Sequence, residues 1–224
     1  MSIYNYEETA VVLPSTISTA ARSSYQEAII DVLISRRRLI DATLSHLITG
    51  SEVLMEVAKL LIDTLRSGHK VLVVGNGRSA AQAQQFASEL VGRLKRGWVP
   101  YPVLALTSDT SLITSIADNY GYQDVFVRQV QAMGQPGDMF IAFSTSEEAK
   151  NVMLAAEIAR HNLMSVVAFT GERFSSLERT SDITVRVPVN NTEVVQELHM
   201  VLAHILCGVV ETHLAACTSE DEWP

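Results

Sequence analysis

Cysteine is scarce in this chain, with only Cys207 and Cys217 present. If both lie on one helix, ten residues at 1.5 Å per residue hold them ~15 Å apart, beyond bridging distance, so no structural disulfide is expected and a reducing compartment fits. Basic residues are outnumbered: 17 Lys and Arg stand against 25 Asp and Glu, a net charge of −8. That balance argues against nucleic acid or an anionic membrane surface as a direct partner. No run approaches ~20 uncharged apolar residues, and the opening MSIYNYEETAVV lacks the basic-then-apolar order of a signal peptide. The expectation is a cytoplasmic protein with no membrane partner. There is no internal repeat and no low-complexity segment.

What is present centres on Lys70 to Arg93, KVLVVGNGRSAAQAQQFASELVGR. The apolar run Val71 to Val74 breaks into a Gly-Asn-Gly turn, and the turn opens at Ser79 into a segment rich in Ala, Gln, Leu and Glu. This is a strand, a tight loop and a helix start. An anion brought up to Ser79 and Ala80 would meet helix N–H groups that lack partners, at the positive end of the macrodipole. Gly75 and Gly77 allow close approach of the backbone. Glu89 follows about two and a half to three turns along the same helix, placed to face the reactive part of a phosphate-bearing ligand. Gly75-x-Gly77-x-x-Ala80 also fits a dinucleotide fingerprint, but Thr107 and Ser108 stand where the ribose-binding acid should be, so a phosphosugar fits better than a nucleotide.

Residues 1 to about 18 form an aperiodic arm, and Thr19 to Thr49 forms a long helix carrying apolar residues at helical spacing, broken on one side by Arg36, Arg37 and Arg38. That arginine run fits a solvated face or an interface. Gly50 ends the helix, Ser51 can cap the next, and Val53 to Leu65 follows. Further strands are expected at Val103 to Leu106, Met139 to Phe143, Val166 to Phe169 and Ile183 to Val187, alternating with helices. The pattern predicts an α/β three-layer sandwich, a five-stranded parallel sheet flanked by helices with an N-terminal helical extension. Ser144-Thr145-Ser146 follows the third strand at once. These hydroxyls can grip an anion or cap the next helix, and Thr145-x-x-Glu148 has the form of a capping box. The last helix, Thr192 to His213, carries Gln196, His199 and His204, with Gln196 and His204 ~80° apart around the axis. By the same wheel His199 lies on the far side of Gln196, ~140° from His204 and away from the same site, and a lone His such as His204 on an apolar helix also reads as a core residue. Gln82 and Gln85 read as surface or interface polar residues.

The combination GNGRSAAQAQQFASELVGR, PVLALTSDTSLITSIADNYGYQDVFVRQVQAMGQPGD, the Ser-Thr-Ser strand end and VVQELHMVLAHILCGVVE resembles the phosphoheptose isomerase family of sugar isomerase (SIS) domains, across roughly residues 40 to 212. The resemblance implies a flavodoxin-like or Rossmann-like SIS fold, a homotetramer with sites between subunits, and conversion of sedoheptulose 7-phosphate to an aldose heptose phosphate. It divides the chain into an arm and helix for oligomerisation (1–50), the phosphosugar-binding domain (51–216) and an acidic tail (217–224). It implies that Gly77 and Ser79 with Ser144, Thr145 and Ser146 cradle phosphate, that Asn76 and Asp118 line the sugar, and that Glu89 is the general base and His204 its partner acid. Gln196 matches a ligand of substrate or metal, and zinc-binding members would hold the ion with Glu89, Gln196 and His204 among four ligands. The chain departs from the family pattern at Arg78, Gln82, Gln85 and Glu147-Glu148-Ala149. Gln85 stands where the fourth metal ligand, a His, is usual, which weighs against zinc. The two glutamates place negative charge beside the expected phosphate. A non-catalytic scaffold of the replication-initiator-associating type is the alternative these departures raise.

Overall fold

The computed structural model describes residues 19–92 and 100–215, so the N-terminal arm, Cys217 and the acidic tail lie outside the described residues. In chain order the elements are α1 (Thr19–Thr49), α2 (Glu52–Arg66), β1 (Val71–Gly75), α3 (Arg78–Val91), β2 (Val103–Ala105), α4 (Thr110–Tyr120), α5 (Val127–Met133), β3 (Met139–Phe143), α6 (Lys150–His161), β4 (Ser165–Thr170), β5 (Ile183–Arg186) and α7 (Thr192–Ala215). Short 3₁₀ turns lie at Tyr122–Asp124 and Ser176–Arg179.

Two compact units meet in sequence at Leu39 and Ile40, inside α1, while residue 50 falls in the turn before α2. The first unit contributes the N-terminal part of α1, where Tyr25, Ile29, Ile30, Val32, Leu33 and Ile34 are exposed. The second holds the sheet. All five strands are parallel in the order β2-β1-β3-β4-β5. β1 and β3 are buried along their whole length, which is why they read as unbroken apolar runs.

Because strand side chains alternate, the sheet supports two cores. On one face Leu72, Val74, Phe140, Ala142, Val166 and Ala168 pack with residues of α4, α5 and α6. The opposite face holds Phe143 and Phe169, stacked at 4.7 Å, with Phe86 of α3 tilted 6.2 Å from Phe143. α3 and α7 pack on each other and α2 packs on α7. By length and composition α7 could cross a membrane over Thr192–Leu214, yet half of that stretch is buried in the protein, including Val194, Leu198, Leu202, Leu206 and Val210. His199 shares this core. It is fully buried, its ring centroid lies 5.9 Å from those of both Phe143 and Phe169, and its Nε2 donates to the Thr170 carbonyl at 3.1 Å. That bond fixes the tautomer and leaves Nδ1 buried without a partner.

Two expected caps differ. Ser51 makes no side-chain cap, its backbone being helical, so α1 and α2 are joined by a tight turn. α6 begins at Lys150, with no capping box at Thr145. The Ser144 hydroxyl instead accepts from Ser146 N and the Ser146 hydroxyl from Glu148 N, both at 3.3 Å, turning the chain before a helix can start. The reciprocal capping box forms at Ser175 and Glu178. Asp109 caps α4, accepting from Leu112 N at 2.9 Å.

At the amino end of the strands, burial alone would raise the Asp138 carboxyl, but hydrogen bonds from Lys70 and Gln135 outweigh it and hold the group below its ordinary range. The carboxyl end carries the strained turn. A Cβ on Gly75 would stand 2.4 Å from the Ser79 carbonyl oxygen, and Gly77 has φ of 55°. Gly75→Ala is therefore expected to push α3 from the strand and cost about 1–3 kcal/mol in urea denaturation; unchanged stability would show that α3 does not need this approach.

Burial lowers the His199 pKa to about 4, against the smaller opposing effect of its bond to Thr170. The folded value lies below the unfolded value of roughly 6.5, so on acidification the unfolded chain takes the proton first. Stability should fall from about pH 6.5 toward 4, by about 3 kcal/mol in total. Denaturant titrations across that window should show a shallower slope for His199→Leu than for the wild type. Identical slopes would contradict the assignment.

Candidate active site

In a parallel sheet of order 2-1-3-4-5 the connections leave in opposite directions between β1 and β3, opening a crevice at their carboxyl ends. The loops after these two strands carry most of the residues expected to grip phosphate. After β1, Gly77 in its left-handed conformation tightens the chain so that Ser79 N bonds to the Asn76 carbonyl at 3.0 Å and Ala80 N to the Gly77 carbonyl at 3.1 Å. The two N–H groups expected to face an anion thus close the first turn. What the loop offers is the Ser79 hydroxyl, on a residue only 3% exposed, at the positive end of α3. After β3, Ser144 is buried, Thr145 half-buried and Ser146 exposed.

Asn76 ties the β1 loop to the start of α6, which follows the β3 loop. Its amide exchanges two hydrogen bonds with Asn151 at 2.8 and 2.9 Å, and its oxygen also accepts from the Tyr122 hydroxyl at 2.9 Å. Neither partner is legible as such in the sequence, being 75 and 46 residues away. Asp118 stands exposed on α4.

Glu147, beyond the hydroxyl loop, does not fold into a helix cap. Its carboxylate pairs with Arg173 at 3.0 Å, and its carbonyl accepts from Ser176 N at 3.1 Å and from the Ser175 hydroxyl at 3.4 Å. Arg78 lines a cavity of about 430 Å³ with Gln82, Gln196 and Met200.

The expected acid–base pair lies between α3 and α7. Glu89, 7% exposed, presents Oε1 to His204 Nε2 at 2.7 Å and to Gln85 Nε2 at 2.9 Å. Its other oxygen, Oε2, is buried without a hydrogen-bond partner. The His204 ring is 49% exposed, so the pair has a sealed member and an open one. The Cys207 thiol, one turn beyond His204, also faces this carboxylate; burial first, then the charge of Glu89 and a hydrogen bond to it, then the charge of Glu211, push it far up, keeping it a neutral thiol. Gln85 is exposed, as expected, while its amide reaches Glu89, whereas Gln82 is not a surface residue. Gln82 is 7% exposed and its amide donates to the Gln196 carbonyl, tying α3 to α7. Their role was hidden because helix periodicity does not say which neighbour a face meets.

Gln196 lies further back along α7 than His204, at the cavity with Arg78. An angle of ~80° puts both α7 residues on one side, but eight residues also separate them by ~12 Å along the axis. Zinc asks for three or four converging donors. Here Glu89 and His204 meet with an amide as third neighbour, and among the described residues no three His, Cys, Asp or Glu side chains could hold an ion. With Gln85 in place of an imidazole, the donor set is a weak one for zinc.

Comparison with known proteins agrees with this geometry. The family model described as SIS domain matches residues 37–171. A phosphoheptose isomerase of Roseiflexus is 42% identical over 84% of this chain and 90% of its own length, and one of Helicobacter pylori is 40% identical over 83% and 98%. Solved phosphoheptose isomerases of Neisseria gonorrhoeae and Francisella tularensis, each 32% identical, superpose with TM-scores of 0.77 and 0.76 over 84% of this chain and 99% and 98% of theirs. A five-stranded SIS sheet, a glutamate sealed against a histidine, and this degree of identity over nearly the full length of its relatives place the chain in the phosphoheptose isomerase family of SIS domains.

Proposed function

We propose that the protein interconverts sedoheptulose 7-phosphate and its aldose isomer, glycero-manno-heptose 7-phosphate, by proton transfer between Glu89, His204 and the sugar. The observation that carries this reading is the Glu89–His204 contact at 2.7 Å with Glu89 Oε2 left without a partner. Oε1 is held by Gln85 and His204, so Oε2 is the oxygen available to a proton from carbon. The Glu89 carboxylate removes a proton from C1. The C1–H electron pair forms the C1–C2 double bond, and the C2 carbonyl oxygen takes a proton from His204 to give the cis-enediol. Return of the carbon proton to C2, with O1 giving its proton to the imidazole, completes the aldose and restores both groups. Because Glu89 is sealed, the half-exposed His204 ring must give way as the sugar enters.

Phosphate at the far end supplies binding energy and orientation. The hydroxyls of Ser79, Ser144, Thr145 and Ser146 are its partners in this reading, with Asn76, Asp118 and Gln196 toward the sugar hydroxyls. The exposed apolar residues of α1, and separately Met55, Ile205 and Val209 exposed on α2 and α7, support assembly between copies, as in the homotetramer the resemblance implies. A phosphorylated sugar substrate fits a cytoplasmic location. The intact acid–base pair favours catalysis over a purely scaffolding role.

Purified protein should convert sedoheptulose 7-phosphate, and Glu89→Gln should lower kcat by about 10²–10⁴-fold with its circular dichroism and oligomeric state unchanged. A folded wild-type preparation that binds the ketose phosphate without turning it over would overturn the proposal.

A further inference from the structure

Resting on the reading that a phosphate ester sits at the carboxyl ends of β1 and β3, we propose that Arg173 is a positioning residue of that site, which by pairing with Glu147 lets a doubly negative group bind beside a loop carboxylate.

The loop cannot carry Glu147 away. Ser175 donates to the Ser146 carbonyl at 3.2 Å and to the Glu147 carbonyl at 3.4 Å, and Ser176 N donates to the latter at 3.1 Å. Ser175 is itself 3% exposed and locked in its capping box, its N–H bonded to Glu178 Oε1 at 2.9 Å, while Glu178 is paired with Arg186. The Glu147 backbone is thus fixed directly after the three hydroxyls. Its carboxylate stands at a cavity of about 270 Å³ bounded by Thr145, Glu172, Arg173, Asn191 and Thr192. A dianion held at Thr145 would meet a fixed negative charge close by. Arg173 Nη1, 3.0 Å from Glu147 Oε1, cancels that charge.

The pair is open to solvent, with the arginine side chain 68% and the glutamate 53% exposed, so it adds little to folding. Its effect is on the local potential, which a bound dianion feels and the folding equilibrium does not. Arg173 therefore acts through Glu147 rather than on the ester. Removing the arginine alone should harm binding, and removing the glutamate as well should cure the harm.

Steady-state kinetics with sedoheptulose 7-phosphate and calorimetric titration with inorganic phosphate test this on four proteins: wild type, Arg173→Ala, Glu147→Gln and the double variant. At low salt Arg173→Ala should raise both KM and the phosphate Kd roughly tenfold with kcat within about twofold, and the increase should shrink as salt is added. Glu147→Gln should bind no worse than wild type, the double variant should return to within about twofold, and Arg173→Lys should retain most of the affinity. An Arg173→Ala protein that binds normally, or a loss that Glu147→Gln fails to relieve, overturns the inference. If phosphate affinity follows the expected pattern while no protein isomerises the ketose phosphate, the charge pairing stands and the substrate reading falls. Wild-type protein to which phosphate does not bind overturns both.

Discussion

A carboxylate sealed between two helices and met by a single imidazole is the constraint on which the rest of this molecule depends. Glu89 is pointed into the seam where α3 packs on α7, and one of its oxygens has no hydrogen-bond partner there. Burying such a group is costly unless something compensates. Here His204 and Gln85 share the other oxygen, and Gln82 ties the same two helices together one turn further back. Phe86, also on α3, anchors the seam to the aromatic core beneath. The apolar packing that holds the helices in register is therefore also what holds Glu89 and His204 at bonding distance.

The sheet supplies the second half of the arrangement. Reversal of strand order between β1 and β3 brings two otherwise distant loops to one crevice. The Asn76–Asn151 amide pair ties the β1 loop to the start of α6, and Tyr122 buttresses it from a third segment. The glutamates after the hydroxyl loop look hostile to phosphate, yet Glu147 is turned to Arg173 and its backbone is held by Ser175 and Ser176. The site is thus organised by contacts between loops, while the Glu89–His204 pair is organised by contacts between helices.

Legibility in the sequence followed the same division. β1 and β3 lie where fully buried apolar runs predict them, and Asp109 caps α4 as its chemistry suggests. Local signals misled where two outcomes use the same residues. Ser144, Thr145 and Ser146 could cap or turn, and they turn, because Ser144 and Ser146 bond to amides two residues ahead. Angular reasoning put Gln196 and His204 on one side of α7; the helical rise sets them ~12 Å apart along it. Gln82 looked like a surface polar residue because nothing local to α3 announces that α7 will cover that position. Family resemblance singled out Glu89 and His204; their contact across 115 positions is a product of packing, which no window of the sequence contains.

The most direct test of the central claim, that the sealed carboxylate moves a carbon-bound proton, is proton exchange followed by nuclear magnetic resonance with sedoheptulose 7-phosphate in deuterium oxide. The account predicts that wild-type protein replaces one of the two C1 protons with deuterium, stereospecifically, and that the exchange disappears when Glu89 is changed to glutamine. Exchange that persists at the wild-type rate without the carboxylate would contradict it.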